Sequence, residues 1–382
     1  MSVSAFLSEN RKNARAAFGS APLPPRWGHA WRYSDPKMFL PSTAIPREGT
    51  LREFPSPVPA GVSITRFADA LGEDARAIEE FLGTAAGIAD GKMEAFGLAE
   101  WQDALLVRIA PGASPEGSIH LRTRPGPGSF GAVRLLVVAG EGSMAHIVDD
   151  YQGGTAAPFL LHSGVELVAG PSSCIRYTAV QELGASTVFH LKERARAMAD
   201  SSVFSSAFAF GASMARTDLG TILEGRNASS SAFGVTVGSA SQHFDLHTVH
   251  LHRAPGTRSD FDFRSILAGQ ARSIYTGSII IEKDAPGCEA YQINRNLMLS
   301  DGARADSIPE LEIKNDDVRC SHGSATGPVE PSQVYYLMAR GLPEPEALRI
   351  VAAGFAEQLF ARIPTDLSAR AHAQLAARLE AI

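Results

Sequence analysis

Cysteine is scarce in this chain: three residues, at 174, 288 and 320, in a length of 382, with no C-x-x-C pair. A disulfide framework is thereby excluded, and free thiols in a reducing compartment are expected. Positive charge is also short, because 35 Lys and Arg face 41 Asp and Glu for a formal net charge of -6, and no long basic run occurs. Such a surface does not invite nucleic acid. Long apolar runs are missing; the segment SSVFSSAFAFGASMA at 201–215 is too short and too serine-rich to span a bilayer. Glu9 and Asn10 interrupt the stretch that a secretory signal would need. The expectation is a cytoplasmic protein with no membrane contact. Also absent are the phosphate loop G-x-x-x-x-G-K-[ST], the zinc helix H-E-x-x-H and the nucleophile elbow G-x-S-x-G. We therefore expect no enzyme activity and no nucleotide bound by this chain itself.

What is present is a globular composition, 45% hydrophobic and 20% charged, in a chain longer than one core usually serves. Three units can be read. Residues 1–103 form a helical region: a helix over 4–18, a proline-rich arm from 22 to 59 that excludes regular helix and central strand, and short helices over 73–82 and 92–101. Trp27, Trp31 and Tyr33 lie in the arm, and their apolar surface predicts packing onto the next unit. Residues 104–328 switch to short apolar or alternating runs separated by glycine, such as LLVRIA, VRLLVV and SIIIE. Gly-x-x-Ala recurs at Gly142, Gly225, Gly287 and Gly302, where turns lead into strands. The glycine spacing is irregular, so no strict short repeat is present. A mainly β parallel β-helix is the geometry that these short strands and small turn residues predict. From 329 to 382 helical periodicity returns, broken at Gly341 and Pro343.

Two motifs are decoys. GEGSMA at 140–145 has the form of a dinucleotide loop, but HIVDDYQGG follows where a helix is needed. HFDLHTVHLH at 243–252 carries four histidines. With a register shift near His247 they fall opposite the core residues, as a polar solenoid wall.

Cys320 and His322 stand two apart in DDVRCSHGSATG. In a strand they share a face, and thiolate with imidazole suits an iron-sulfur cluster or zinc. A nucleophile would need a base oriented by a third group, and a closed metal site about four ligands. On spacing alone, half a metal site, a catalytic pair and a structural strand end all remain open.

The segment from Gln292 to Phe355 resembles the SufB/SufD family of iron-sulfur cluster assembly proteins, and its SufD branch in particular. The residues that carry this are Asn294, Asn296 and Leu297, the stretch Pro309 to Ile313, Asp316-Asp317-Val318, Cys320-Ser321-His322-Gly323, Tyr335-Tyr336-Leu337 and Arg340-Gly341. Weaker likeness extends through 247–267, 140–154 and PPRWGHAWRYSD near the N-terminus. The resemblance implies a right-handed parallel β-helix core flanked by N-terminal and C-terminal helical regions. It also implies pairing with SufB through the end of the β-helix and binding of the ATPase SufC through the C-terminal helices. His322, with Cys320 beside it, would then be a candidate ligand shared with SufB for a transient nascent iron-sulfur cluster. Tyr336, Arg340, Gly341 and Phe355 are the residues expected at the SufC contact. A homodimer of the chain alone is compatible with the resemblance, which leaves reduced flavin open.

A SufB-type paralogue is the alternative within the family. Against it, the position of SufB's cluster-associated cysteine falls near Asn294, and its F-E-H is replaced by Cys320-Ser321-His322. Outside the family, a polysaccharide-acting β-helix enzyme would need paired carboxylates on one wall, whereas the adjacent Asp316 and Asp317 point to opposite faces.

Overall fold

The computed structural model describes residues 2–27, 29–41, 52–126, 129–154 and 157–380. Part of the proline-rich arm, 42–51, lies outside the described residues. From Asp103 to Pro328 consecutive strands fall alternately in two nine-stranded sheets, each strand pairing in parallel with those two places before and after it. This is a parallel β-solenoid of about 8 turns. At its beginning two short strands add antiparallel, Arg52–Glu53 on Ile119–Thr123 and Val62–Arg66 on Asp103–Ile109. The edge position of Arg52–Glu53 is the kind of strand that a proline-rich arm tolerates.

Each turn takes 26 to 32 residues, as Val188 stacks on Met214 and Arg272 on Arg304. The corners accommodate this variation with residues of small size. Gly142 (φ +66°) and Gly287 (φ +71°) precede strands Met144–Gly153 and Cys288–Met298 in a left-handed conformation that suits glycine. At Gly225 a Cβ would fall 1.9 Å from the Ala199 nitrogen of the turn below. The alanines that follow, Ala145, Ala228 and Ala290, are buried.

Between the sheets lies a core built from alternate residues of every turn, including Leu105, Leu135, Val165, Leu191, Leu219 and Ile279. Several strands are apolar on both faces because helices cover their outer sides. On one sheet α1 (Val3–Ser20), α2 (Gly72–Phe81) and α3 (Lys92–Glu100) pack Leu7, Ala14, Ile78 and Leu98 against Leu106, Leu136 and Val168. On the other, α4 (Pro331–Met338), α5 (Glu344–Phe360) and α6 (Thr365–Glu380) pack Ala352, Ala356, Leu359, Phe360 and Leu375 against Phe208, Phe233, Val235 and Val237.

The arm lies against the solenoid through Trp31, whose ring is covered by the Arg216 guanidinium at 3.8 Å and meets Phe39 edge-on. Tyr33 sits under Arg272. Trp27 departs from the expected packing, being 86% exposed at a turn.

The histidine run also departs from its sequence reading. Strand His243–His252 keeps one continuous register against Met214–Leu223, without a shift at His247. His250 and His252 therefore share the inner face with Phe244 and Leu246. His250 stacks on Phe261 at 4.0 Å, and His252 bonds Thr257 Oγ1 and Ser259 Oγ, each at 2.8 Å. Burial lowers the pKa of His252 to about 4, so both nitrogens serve neutral hydrogen bonds inside the core. His247 lies on the outer face, bonded to Asp245.

Candidate functional site

Strands Arg304–Ile313 and Val318–Pro328 end the two sheets, and each has a sheet neighbour on one side only. Every residue of both is half-buried or exposed. A strand of 11 residues with one edge unpaired offers a row of backbone donors and acceptors to a partner.

Cys320 and His322 lie on this terminal strand and do share a face. Cys320 stacks on Ala290 and His322 on Gln292, both buried and directed inward in the turn below. Cys320 is half-buried against the inner core, while His322 is exposed. Burial pushes the Cys320 thiol up, against a smaller downward pull from its hydrogen bond to the Ala290 backbone. That shift disfavours a standing thiolate nucleophile.

The other cysteines do not complete the site. Cys288 is fully buried one strand below, with Sγ 3.1 Å from Thr257 Oγ1, and Cys174 opens a strand five places below in the same sheet. Among the described residues, no three His, Cys, Asp or Glu side chains form a group able to hold a metal ion. Cys320 and His322 thus present two soft donors at an open end, and a cluster would need its remaining ligands from elsewhere.

The asparagines noted in the sequence brace this end. Asn294 Nδ2 donates to the Phe263 carbonyl at 3.1 Å, and Asn296 Nδ2 donates to Asn294 Oδ1 at 2.9 Å and Thr326 Oγ1 at 3.0 Å. Gln292 was not legible as a site residue. It is buried directly beneath His322, and neither atom of its amide has a hydrogen-bond partner among the described residues.

A second surface forms where α4 and α5 meet. Tyr336 and Phe355 line one groove of about 640 Å³ with Leu297, Leu337 and Val351. Arg340 lies over the Tyr336 ring at 5.2 Å and donates to its hydroxyl at 3.3 Å. Gly341 (φ +95°) ends the helix and contributes backbone conformation rather than lining. Arg264 fixes the groove's floor by donating to the Phe355 carbonyl at 2.6 Å and to Gln358 Oε1 at 2.8 Å. On the same two helices Tyr335, Tyr336, Met338 and Ile350 are exposed. Among the described residues no helix is long and apolar enough to cross a membrane.

Comparison with known proteins gives this geometry a context. An iron-sulfur cluster assembly SufBD family protein of Mycobacterium tuberculosis is 29% identical over 249 residues, covering 63% of this chain and 62% of the relative. One from Mycobacterium leprae is 29% identical over 238 residues, 61% of this chain but 27% of that longer protein. Another from Mycobacterium bovis is 30% identical over 207 residues, 54% of this chain and 24% of the relative. The aligned part of the chain thus spans 62% or less of the length of these relatives. The SufBD core domain of SUF-system FeS cluster assembly matches residues 123–355, which takes in the last seven turns of the solenoid, the Cys320–His322 strand and the residues that line the α4–α5 groove. With more than half of its length in that match, the chain belongs to the SufBD family of iron-sulfur cluster assembly proteins.

Proposed function

We propose that this chain is the SufD-type subunit of a SufB–SufC–SufD assembly, a scaffold that helps build a cluster without catalysing a reaction alone. The observation that carries the proposal is the open end of the solenoid, where an unpaired strand edge and the Cys320–His322 half-site occur on one strand. A SufB-type partner would continue the sheet at this edge and supply the missing ligands. The exposed imidazole of His322 is placed to serve as a ligand to the cluster or to pass a proton as sulfide arrives. The α4–α5 groove is the proposed SufC contact, with Tyr336 and Phe355 as apolar anchors and Arg340 holding the tyrosine ring.

The test is His322→Ala in the chain co-expressed with SufB-type and SufC-type partners under anaerobic conditions. Because His322 is exposed, the substitution should change stability by less than about 0.5 kcal/mol. Complex assembly should persist while iron and acid-labile sulfide fall several-fold, and Cys320→Ala should have a weaker effect. Wild-type iron and sulfide in the His322→Ala complex would remove the functional reading of the strand.

A further inference from the structure

Gln292 is a buried side chain whose amide is left unexplained by hydrogen bonding among the described residues. It projects inward from the penultimate turn and is 1% exposed, and neither Oε1 nor Nε2 has a partner among the described residues. A Cβ on Gly277, in the facing sheet, would fall 2.5 Å from both Gln292 Nε2 and the Tyr275 hydroxyl. The amide thus reaches across the interior and occupies the space that the absent side chain leaves. The Tyr275 and Thr248 hydroxyls share a hydrogen bond at 3.0 Å. Ser307, which stacks on Tyr275 in the last turn, likewise has a buried hydroxyl without a partner among the described residues. Leaving buried polar atoms unpaired is costly, and such groups mark places where a ligand or ordered solvent completes the bonding.

The position of the amide narrows what that ligand is. Immediately above Gln292 in register is His322, and Cys320 lies beside it on the same face. Among the described residues no further turn lies above them. A group bound between the solenoid interior and the half-site would meet a primary amide and a hydroxyl below, and an imidazole and a thiol above. Hydrogen-bond donors beneath soft ligands suit a sulfur anion, either sulfide or a metal-bound thiolate, whose charge and orientation an N–H donor stabilises.

We propose that Gln292 is a positioning residue of the cluster-assembly half-site, donating its Nε2–H to a sulfur of the nascent cluster, with Gly277 supplying the space that lets the amide reach it. This rests on the cluster-assembly reading of His322, and the experiment separates the two. Gln292→Met and Gln292→Leu keep an apolar side chain of similar bulk and remove the hydrogen-bond donor. Each is compared with wild type and His322→Ala for the thermal midpoint of the chain alone, for copurification with SufB-type and SufC-type partners, and for iron, acid-labile sulfide and the sulfur-to-iron charge-transfer band of the complex.

For Gln292→Met the expected result is a midpoint equal to or above wild type, because an unpaired buried amide has been removed, with intact copurification. Iron and sulfide should fall at least threefold in both variants, and any residual band should shift in wavelength. Gly277→Ala, which crowds the amide while leaving its chemistry intact, should reproduce the loss in part. Wild-type iron, sulfide and band position in Gln292→Met overturn the inference, and retention in Gln292→Leu overturns the donor role. A lowered midpoint with lost copurification in Gln292→Met also overturns it, by showing that the amide is a packing element. If His322→Ala is the variant that retains its cluster, the functional reading fails first.

Discussion

At the scale of single residues, the two members of the terminal pair differ in environment although they share a strand face. His322 is exposed, whereas Cys320 rests on the core, with its thiol pushed up by burial. In a Cys174→Ser background, the pH profile of iodoacetamide alkylation at Cys320 should therefore inflect above the value of about 8.5 for a free thiol. An inflection at or below that value would reveal a pre-activated thiolate and restore the nucleophile reading. Their shared face was legible from the spacing alone, since strand side chains alternate. Gln292 was not, because its significance arises from a facing glycine and an overlying histidine 15 and 30 residues away in sequence. The same limit hid Arg52, fully buried and bonded to Asp149 Oδ2 at 2.5 Å and Tyr151 Oη at 3.1 Å.

Glu193 is a second buried group with a measurable consequence. Neither carboxyl oxygen makes a well-formed hydrogen bond among the described residues, and burial raises its pKa to about 8, against the smaller pull of Arg194. Below about pH 4.5, its ordinary value, folded and unfolded chains are both protonated there and no penalty arises. As pH rises from that value the unfolded chain ionises while the folded chain retains its proton. Stability is then lost by up to about 1.4 kcal/mol per pH unit until the folded carboxyl also ionises near pH 8. Glu193→Gln should raise the thermal midpoint at pH 7.5 by several degrees and change it little at pH 5. Equal effects at the two pH values would show that Glu193 is not held protonated.

At the scale of elements, the C-terminal helices cannot be treated as a detachable module. Helix α5 and its neighbours cover Phe208, Phe233, Val235 and Val237 on the outer face of a sheet. Deleting 330–382 would expose these side chains, at roughly 1.5–3 kcal/mol for each large residue, so loss of partner binding after deletion would confound docking with unfolding. The exposed tyrosines of α4 offer a cleaner probe. Tyr335 and Tyr336 are 74% and 58% exposed, so the double change to alanine should leave the isolated chain's midpoint within about 2 °C. It should weaken SufC-type copurification at least tenfold, the scale set by aromatic anchors at interfaces. Undiminished copurification would place the contact elsewhere.

The helices were readable from apolar periodicity. The histidine strand was misplaced because a run with polar residues at alternate positions resembles a wall facing water. Here the facing sheet and its corner supply Thr257 and Ser259 to both nitrogens of His252, and Ser230 and the Phe261 ring to His250. The missing information was the partner of each position, which a single strand does not contain.

At the scale of the whole molecule, the solenoid's parallel stacking was legible in short strands and small turn residues, but its period was not. Turns of 26 to 32 residues vary at the corners, so glycine spacing carries no fixed interval even though the register stays continuous along every pair of interior strands. Such an architecture has a consequence for stability. Each interior turn is held by neighbours on both sides, and the total is close to a sum of nearest-neighbour terms. The first turns are covered by added strands and by α1, α2 and α3. The last turn has one neighbour, and the residues of its strands are half-buried or exposed. Opening it therefore costs less than opening any turn in the middle. In the dilute isolated chain, amides of 304–313 and 318–328 should exchange with deuterium at least tenfold faster than those of the interior strands Ser229–Gly238 and Arg258–Leu267. Addition of a SufB-type partner should bring them to interior levels while leaving the first turns unchanged. Protection that rises with the concentration of the chain alone would instead identify a homodimer using the same edge. If the terminal strands are as protected as the interior at high dilution, the end is already sealed by the chain itself, and pairing must occur on another face.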